Sequence, residues 1–243
     1  MQMRYFATRI VLLFAVLTAV LCLIVFSVRA QQLAFRHRAE RLQYDLQRAE
    51  YRKTTLAQLL PVFHRWSASY NGPCRDNECS AQMTIGDFAY RHADFFSNHQ
   101  RLFRAYGFLG GRPAIVRAAV AIKGGVVRAK SYAIYVEVFP KESEHGGNTP
   151  LGYSLIGETS LVESLPLGRS SPLRHPSYWI GWPSGCEICI AIEVHATPDA
   201  PPEDIQRLNK LDFSCLTRWF QPCRDKGDIM PEAWAQVQKE DLS

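Results

Sequence analysis

Cys186-Glu-Ile-Cys189 is the spacing in this chain with the most chemistry in reach, because C-x-x-C serves both thiol redox catalysis and zinc binding. A redox pair needs its first thiol at a helix N-terminus, where the dipole lowers the thiol pKa. Here the motif runs directly into Ile188, Ile190, Ile192 and Val194, whose alternation predicts a strand with one buried face. Cysteines three apart on a strand point to opposite faces and bridge poorly. A zinc site would need partners from Cys74-x4-Cys79 or Cys215-x7-Cys223, and neither has the usual short spacing. Those two pairs read instead as disulfides, Cys74 with Cys79 and Cys215 with Cys223. Each flanks a short polar or proline-containing loop that can bring its alpha carbons within bridging distance. Cys186 and Cys189 are then expected as thiols, or paired with something distant, and they carry the enzymatic alternative, metal- or thiol-dependent catalysis.

The other chemical groups do not converge. His92 and His99 share a predicted helix face but lie two turns, roughly 10 Å, apart, too far for an i, i+4 metal grip. Glu187 and Glu193 on one strand face stand about 20 Å apart in an extended chain, too wide for paired acid–base work, and read as solvated residues. There is no G-x-S-x-G, Walker loop, Rossmann glycine string, H-E-x-x-H or haem-attaching C-x-x-C-H. No catalytic residue, metal or cofactor is assigned.

One surface is worth a binding hypothesis. Ala114 to Phe139 contains two β-rich runs joined by Gly124-Gly125, the pattern of a two-residue hairpin. Pairing Lys123 with Val126 predicts Val116, Val120, Ile122, Val127, Ala133 and Tyr135 on one face, with Arg117, Arg128, Lys130 and Tyr132 on the other. Three cations around an aromatic ring would form a docking face for an acidic partner or anionic headgroups.

The elements that hold these residues follow from patterning. Thr55 and Gln58 form a capping box opening a helix through Leu59, Leu60, Phe63 and Trp66, bent by Pro61, and Ala81, Met83 and Ile85 alternate like a strand. Phe88, His92, Phe95, Phe96, His99, Leu102, Phe103 and Tyr106 trace the core stripe of a single helix ended by Gly107. A polar loop with Gly146-Gly147 and Pro150, a strand from Leu151 to Leu165, and aromatic Tyr178, Trp179 and Trp182 precede the Ile188–Val194 strand. Glu203 to Leu208 and Pro231 to Lys239 read as helices. Helices gathered before and after antiparallel strands imply an α+β domain.

Upstream, Ile10 to Val28 is nineteen residues long without a charge and is flanked by Arg4, Arg9, Arg29, Arg36 and Arg38. A helix of that length spans roughly 28 Å, close to the hydrocarbon thickness of a bilayer. The run exceeds a usual signal core of about 7–15 residues, and arginine follows the best cleavage position, so a retained anchor is expected rather than a cleaved signal. Cys22 reads as a lipid-facing side chain. Arg29 to Glu50, with Leu42, Leu46 and Ala49 at helical spacing, continues the helix as a stalk with its other faces solvated.

Charge is unevenly placed. Residues 1–53 hold nine Lys/Arg against Glu40, Asp45 and Glu50, a net of +6, while the remainder is −1. The basic excess suits anionic headgroups and leaves no nucleic-acid footprint. Arginine density on the C-terminal flank favours a cytoplasmic domain, whereas six cysteines in paired spacing favour an oxidising compartment. The cysteines carry more weight, which places the domain outside the cytoplasm.

The stretch Leu211-Asp-Phe-Ser-Cys-Leu-Thr to Cys223-Arg-Asp and Asp228-Ile-Met-Pro-Glu-Ala-Trp234 resembles the tail of an uncharacterised group of bacterial single-pass membrane-anchored proteins. The layout is similar too: an arginine-flanked anchor, a Lys-Thr-Thr helix start and a cysteine-bracketed loop before a strand. The resemblance implies membrane anchoring and transfers no activity.

The sequence therefore predicts an anchor over 1–29, a helical stalk over 30–53, and a soluble α+β domain over 54–243 with an antiparallel sheet and flanking helices. Its expected role is that of a non-enzymatic accessory or interaction subunit, with the lipid bilayer and other membrane or envelope proteins as partners.

Overall fold

The computed structural model describes residues 2–71, 74, 78–138, 153–165, 173–181, 189–218 and 223–241, with backbone alone for 2–8 and 241. The loop with Gly146-Gly147 and Pro150, together with Trp182, Cys186, Glu187 and Ile188, lies outside the described residues.

Helix α1 (Gln2–Gln47) is one uninterrupted helix with two environments. Large apolar side chains from Ile10 to Phe26 are exposed, and this half is long and apolar enough to cross a membrane. From Val28 onward one face is buried: Val28, Gln32, Phe35, Ala39, Leu42 and Leu46, alternating steps of four and three that keep one stripe inward. Most of these residues, with Ala49, belong to the main core cluster. The expected stalk is thus corrected. Residues 30–53 are not a solvated spacer before a domain at 54 but a helix of that domain, since the stripe is covered by the sheet.

Eight strands form one sheet in the order β1-β2-β3-β4-β5-β8-β7-β6, comprising β1 (Ser69–Tyr70), β2 (Cys79–Gly86), β3 (Ala114–Lys123), β4 (Val126–Val138), β5 (Tyr153–Leu161), β6 (Leu173–Arg174), β7 (Tyr178–Gly181) and β8 (Cys189–Ala196). Neighbours are antiparallel except β5 and β8, which run parallel because the β6–β7 hairpin sits outside β8. The sheet is therefore mixed rather than purely antiparallel, within an α+β fold. β8 lies between β5 and β7, and Ala191 and Glu193 on its expected open face are buried alongside Ile192 and Val194.

One face of the sheet, the inner face, is covered by helices. α1, α2 (Leu56–Arg65), α6 (Pro202–Leu208), α7 (Lys226–Ile229) and α8 (Pro231–Asp241) contribute Leu42, Phe63, Leu208, Ile229 and Val237 to a single core with the strands. The expected capping box is present on α2, where the Thr55 hydroxyl accepts from the Gln58 N–H and the Gln58 side chain accepts from the Thr55 N–H.

The stripe from Phe88 to Tyr106 does not form one helix. It breaks at His92 and His99 into α3 (Phe88–Arg91), α4 (Ala93–Asn98) and α5 (Gln100–Phe108), because both histidines leave helical dihedrals. Phe88, Phe96, Phe103 and Tyr106 gather with Val28 in a second, smaller cluster, while Phe95 and Leu102 stay half exposed.

Candidate functional site

The hairpin forms where expected, with Gly124 and Gly125 at positive φ and Lys123 opposite Val126. Its register then shifts. Ile122 faces Val127, but Ala121 faces Ala129, which leaves Arg128 as the extra residue of a bulge. One inserted residue inverts every position beyond it. Lys130 and Tyr132 consequently pair with Val120 and Ala118 on the inner face, while Arg117 pairs with Ala133 on the outer face.

The predicted docking face of Arg117, Arg128, Lys130 and Tyr132 is therefore not assembled. Arg117 stacks its guanidinium 5.3 Å from the Tyr135 ring. Arg128 stands 3.5 Å from Glu163. Lys130 Nζ donates to the carbonyls of Leu46 at 3.1 Å and Ala49 at 2.8 Å, and so caps the C-terminus of α1, where a cation meets the negative end of the dipole. Burial lowers the Lys130 pKa, with Glu50 opposing the shift. The Tyr132 hydroxyl donates to the Ala39 carbonyl at 2.8 Å, and burial drives its pKa well up. These two side chains are internal fasteners of α1.

The outer face holds a polar constellation that the sequence does not announce. Gln82, Ala119, Ser131, Ser160, His195 and Trp179 form one row across six strands. Within it, Ser160 Oγ lies 2.5 Å from His195 Nδ1, and His195 Nε2 lies 3.3 Å from Glu193 Oε2. With the hydroxyl donating to Nδ1 and Nε2–H donating to the carboxylate, the order is hydroxyl, imidazole, acid, that of an activated serine nucleophile. The Trp179 ring lies 5.0 Å from the imidazole. A cavity of about 520 Å³ lies on the opposite, inner face between the end of α1, β4–β5 and α6, with Lys130, Tyr132, Pro202 and Ile205 in its wall, and the β5 strand that carries Ser160 backs it. The relay itself is closed, however, since Ser160 is 5% and Glu193 8% exposed. Glu193, expected as a solvated residue, is thus a buried member of a network. Only the parallel pairing of β5 with β8 brings Ser160 to His195, so periodicity in either strand carries no trace of it.

The cysteines bear out the two expected pairs and leave Cys189 bonded, not a thiol. Cys74 is bonded to Cys79 and Cys215 to Cys223, with alpha carbons 4.5 and 4.9 Å apart, as the loop spacing predicts. Cys189 is itself disulfide-bonded rather than a thiol, so the thiolate that the enzymatic alternative needs from it is tied up. Cys22 is exposed and free. Among the described residues no group of three or more His, Cys, Asp or Glu side chains could hold a metal ion.

A buried polar node joins α1 to α3–α5. Gln32 Nε2 donates to the Tyr106 hydroxyl at 2.7 Å and to Asp87 Oδ2 at 3.3 Å, and the Tyr106 hydroxyl donates to Asp87 Oδ2 at 3.0 Å. Asp87 Oδ1 accepts the Tyr90 N–H and caps α3. Burial pushes the Asp87 carboxyl above the usual carboxylate range against the pull of these donors. About one turn to either side of Gln32 on α1, Arg36 Nη1 donates to the Thr217 hydroxyl at 2.9 Å in the C-terminal segment, and Arg29 Nη1 donates to the Thr217 carbonyl at 3.1 Å. α1 is thus clamped by hydrogen bonds from both ends of the domain sequence.

Set beside known proteins, the chain stands apart: no protein-family model matches it, and no curated protein or solved structure matches it significantly.

Proposed function

We propose that this protein is a membrane-anchored extracytoplasmic domain acting as a non-enzymatic accessory or interaction subunit of a membrane or envelope assembly. The observation that carries the reading is the continuity of α1, whose apolar exposed half passes without a break into the core of the sheet domain. A flexible tether would let a domain search; a helix shared between bilayer and core fixes its height and orientation, the property needed to present a surface to neighbouring membrane proteins. The two disulfides support an oxidising compartment. Protease added outside intact spheroplasts should digest the domain, and full protection would reverse its sidedness. Cross-linking in intact cells followed by purification should recover a stoichiometric membrane or envelope partner. Recovery of the chain alone would refute the subunit role.

A hydrolytic reading is favoured by one observation, the Ser160–His195–Glu193 relay on the outer face of the sheet. A fluorophosphonate probe that labels Ser160 in the folded chain, with labelling lost in His195→Ala, would establish it. Absence of labelling keeps the relay as a link between β5 and β8.

A further inference from the structure

The α3–α5 segment does not stop where α1 enters the domain. Phe88 and Tyr106 share a groove of about 290 Å³ with Val20, Leu23, Ile24 and Val28 of α1. At about 1.5 Å rise per residue, Val20 lies ~12 Å further into the apolar half than Val28. The turn after α5 abuts the same region, since a Cβ on Gly110 would stand 3.1 Å from Arg29 Nε, at the boundary of the apolar run. Two residues before Gly110 comes Phe108, 91% exposed. Phe95 and Leu102 are half exposed in the same segment, and outside α1 the other large apolar or aromatic side chains exposed to this degree, among the described residues, are Leu60 and Tyr70. The stretch from 88 to 112 carries Arg91, Arg101, Arg104 and Arg112 against Asp94. Exposed aromatic and aliphatic side chains interleaved with arginine are the composition of a surface that lies in a bilayer interface.

We infer that α4–α5 is a membrane-interface wedge: Phe95, Leu102 and Phe108 enter the headgroup region of the leaflet from which α1 emerges, and the bilayer itself is the occupant of this face. The inference rests on the reading of α1 as the anchor. The groove supports the contact, because a bilayer that covers Val20 and Leu23 reaches one wall of it and Phe88 and Tyr106 of the α3–α5 segment form the other. One helix alone leaves the domain free to tilt about its emergence point; a second contact beside it fixes the tilt.

The test uses the full chain reconstituted in vesicles of phosphatidylcholine with phosphatidylglycerol, labelled without reduction by a nitrobenzoxadiazole probe and titrated with nitroxide lipids. Three single-site forms are compared: native Cys22, Phe108→Cys with Cys22→Ser, and Lys123→Cys with Cys22→Ser at the hairpin tip. The wedge is supported if the probes at 22 and 108 both shift to the blue and lose emission to nitroxide, the shallow nitroxide acting more strongly on 108, while the probe at 123 is unaffected. Quenching at 22 with a probe at 108 that behaves like the one at 123 overturns the wedge and leaves the anchor standing. No quenching at 22 overturns both. Phe108 is a surface residue, so its substitution leaves the core untouched.

Discussion

Leu42 tests whether α1 belongs to the domain core. Its side chain is 0% exposed between α1 and the sheet, whereas Leu33, nine residues earlier on the same helix, is half exposed. Leu42→Ala removes three carbons, worth about 0.8 kcal/mol each in transfer from water, and the residual cavity raises the loss to about 3 kcal/mol. Leu33→Ala leaves helix propensity nearly unchanged and should cost less than about 0.5 kcal/mol. Urea unfolding of the full chain in detergent micelles, followed by the fluorescence of its five tryptophans, reads the difference. With a slope of about 2 kcal/mol per molar, the Leu42→Ala midpoint should fall by about 1.5 M while that of Leu33→Ala barely moves. The same reasoning predicts that residues 54–243 alone unfold without cooperativity, because the sheet loses its α1 cover. Equal midpoints for the two variants, or a cooperative 54–243 fragment, would show that residues 30–53 are a detachable stalk after all.

Asp87 should give the domain an inverted acid dependence. Its folded pKa is raised, so between the unfolded value of about 3.9 and the folded one the native state holds a proton that the unfolded chain has lost, and stability falls as pH rises. Asp87→Asn keeps the cap on α3 and should flatten that fall, seen as a melting-temperature difference between variant and parent that grows from about pH 4 toward neutrality; parallel profiles would exclude it. Lys130→Met strips the cap from α1 and should cost about 2 kcal/mol in urea unfolding. Arg128→Ala, which breaks the exposed contacts to Glu163 and to the Lys123 carbonyl, should cost under about 0.5 kcal/mol, and a reversal of this order would restore the outward-facing placement of Lys130. Cys215→Ser with Cys223→Ser should cost about 2.5 kcal/mol from loop closure, measured as the gap in unfolding free energy between oxidised parent and variant. Non-reducing peptide mapping that links either cysteine elsewhere would refute the pairing.

Much of this fold is local and so legible in the chain. The capping box at Thr55, the turn at Gly124-Gly125, the two disulfide loops and the helix starting at Pro231 each depend on a few adjacent residues whose backbone preferences act alone. The hairpin bulge left a sign as well. Val127 and Ile134 are both fully buried yet have opposite parity, so an alternation running through both requires an extra residue between them, and Arg128 is that residue.

The sequence by itself determined an apolar run long enough for a bilayer, an α+β order of elements and the local pairings, because helix period, strand alternation and loop length are properties of neighbours in the chain. Tertiary structure alone decided that α1 is core rather than stalk, that Lys130 and Tyr132 point inward to hold it, and that Ser160 meets His195 and Glu193. Each depends on which strand lies beside which and in what register, and that choice is made by the packing of residues tens of positions apart.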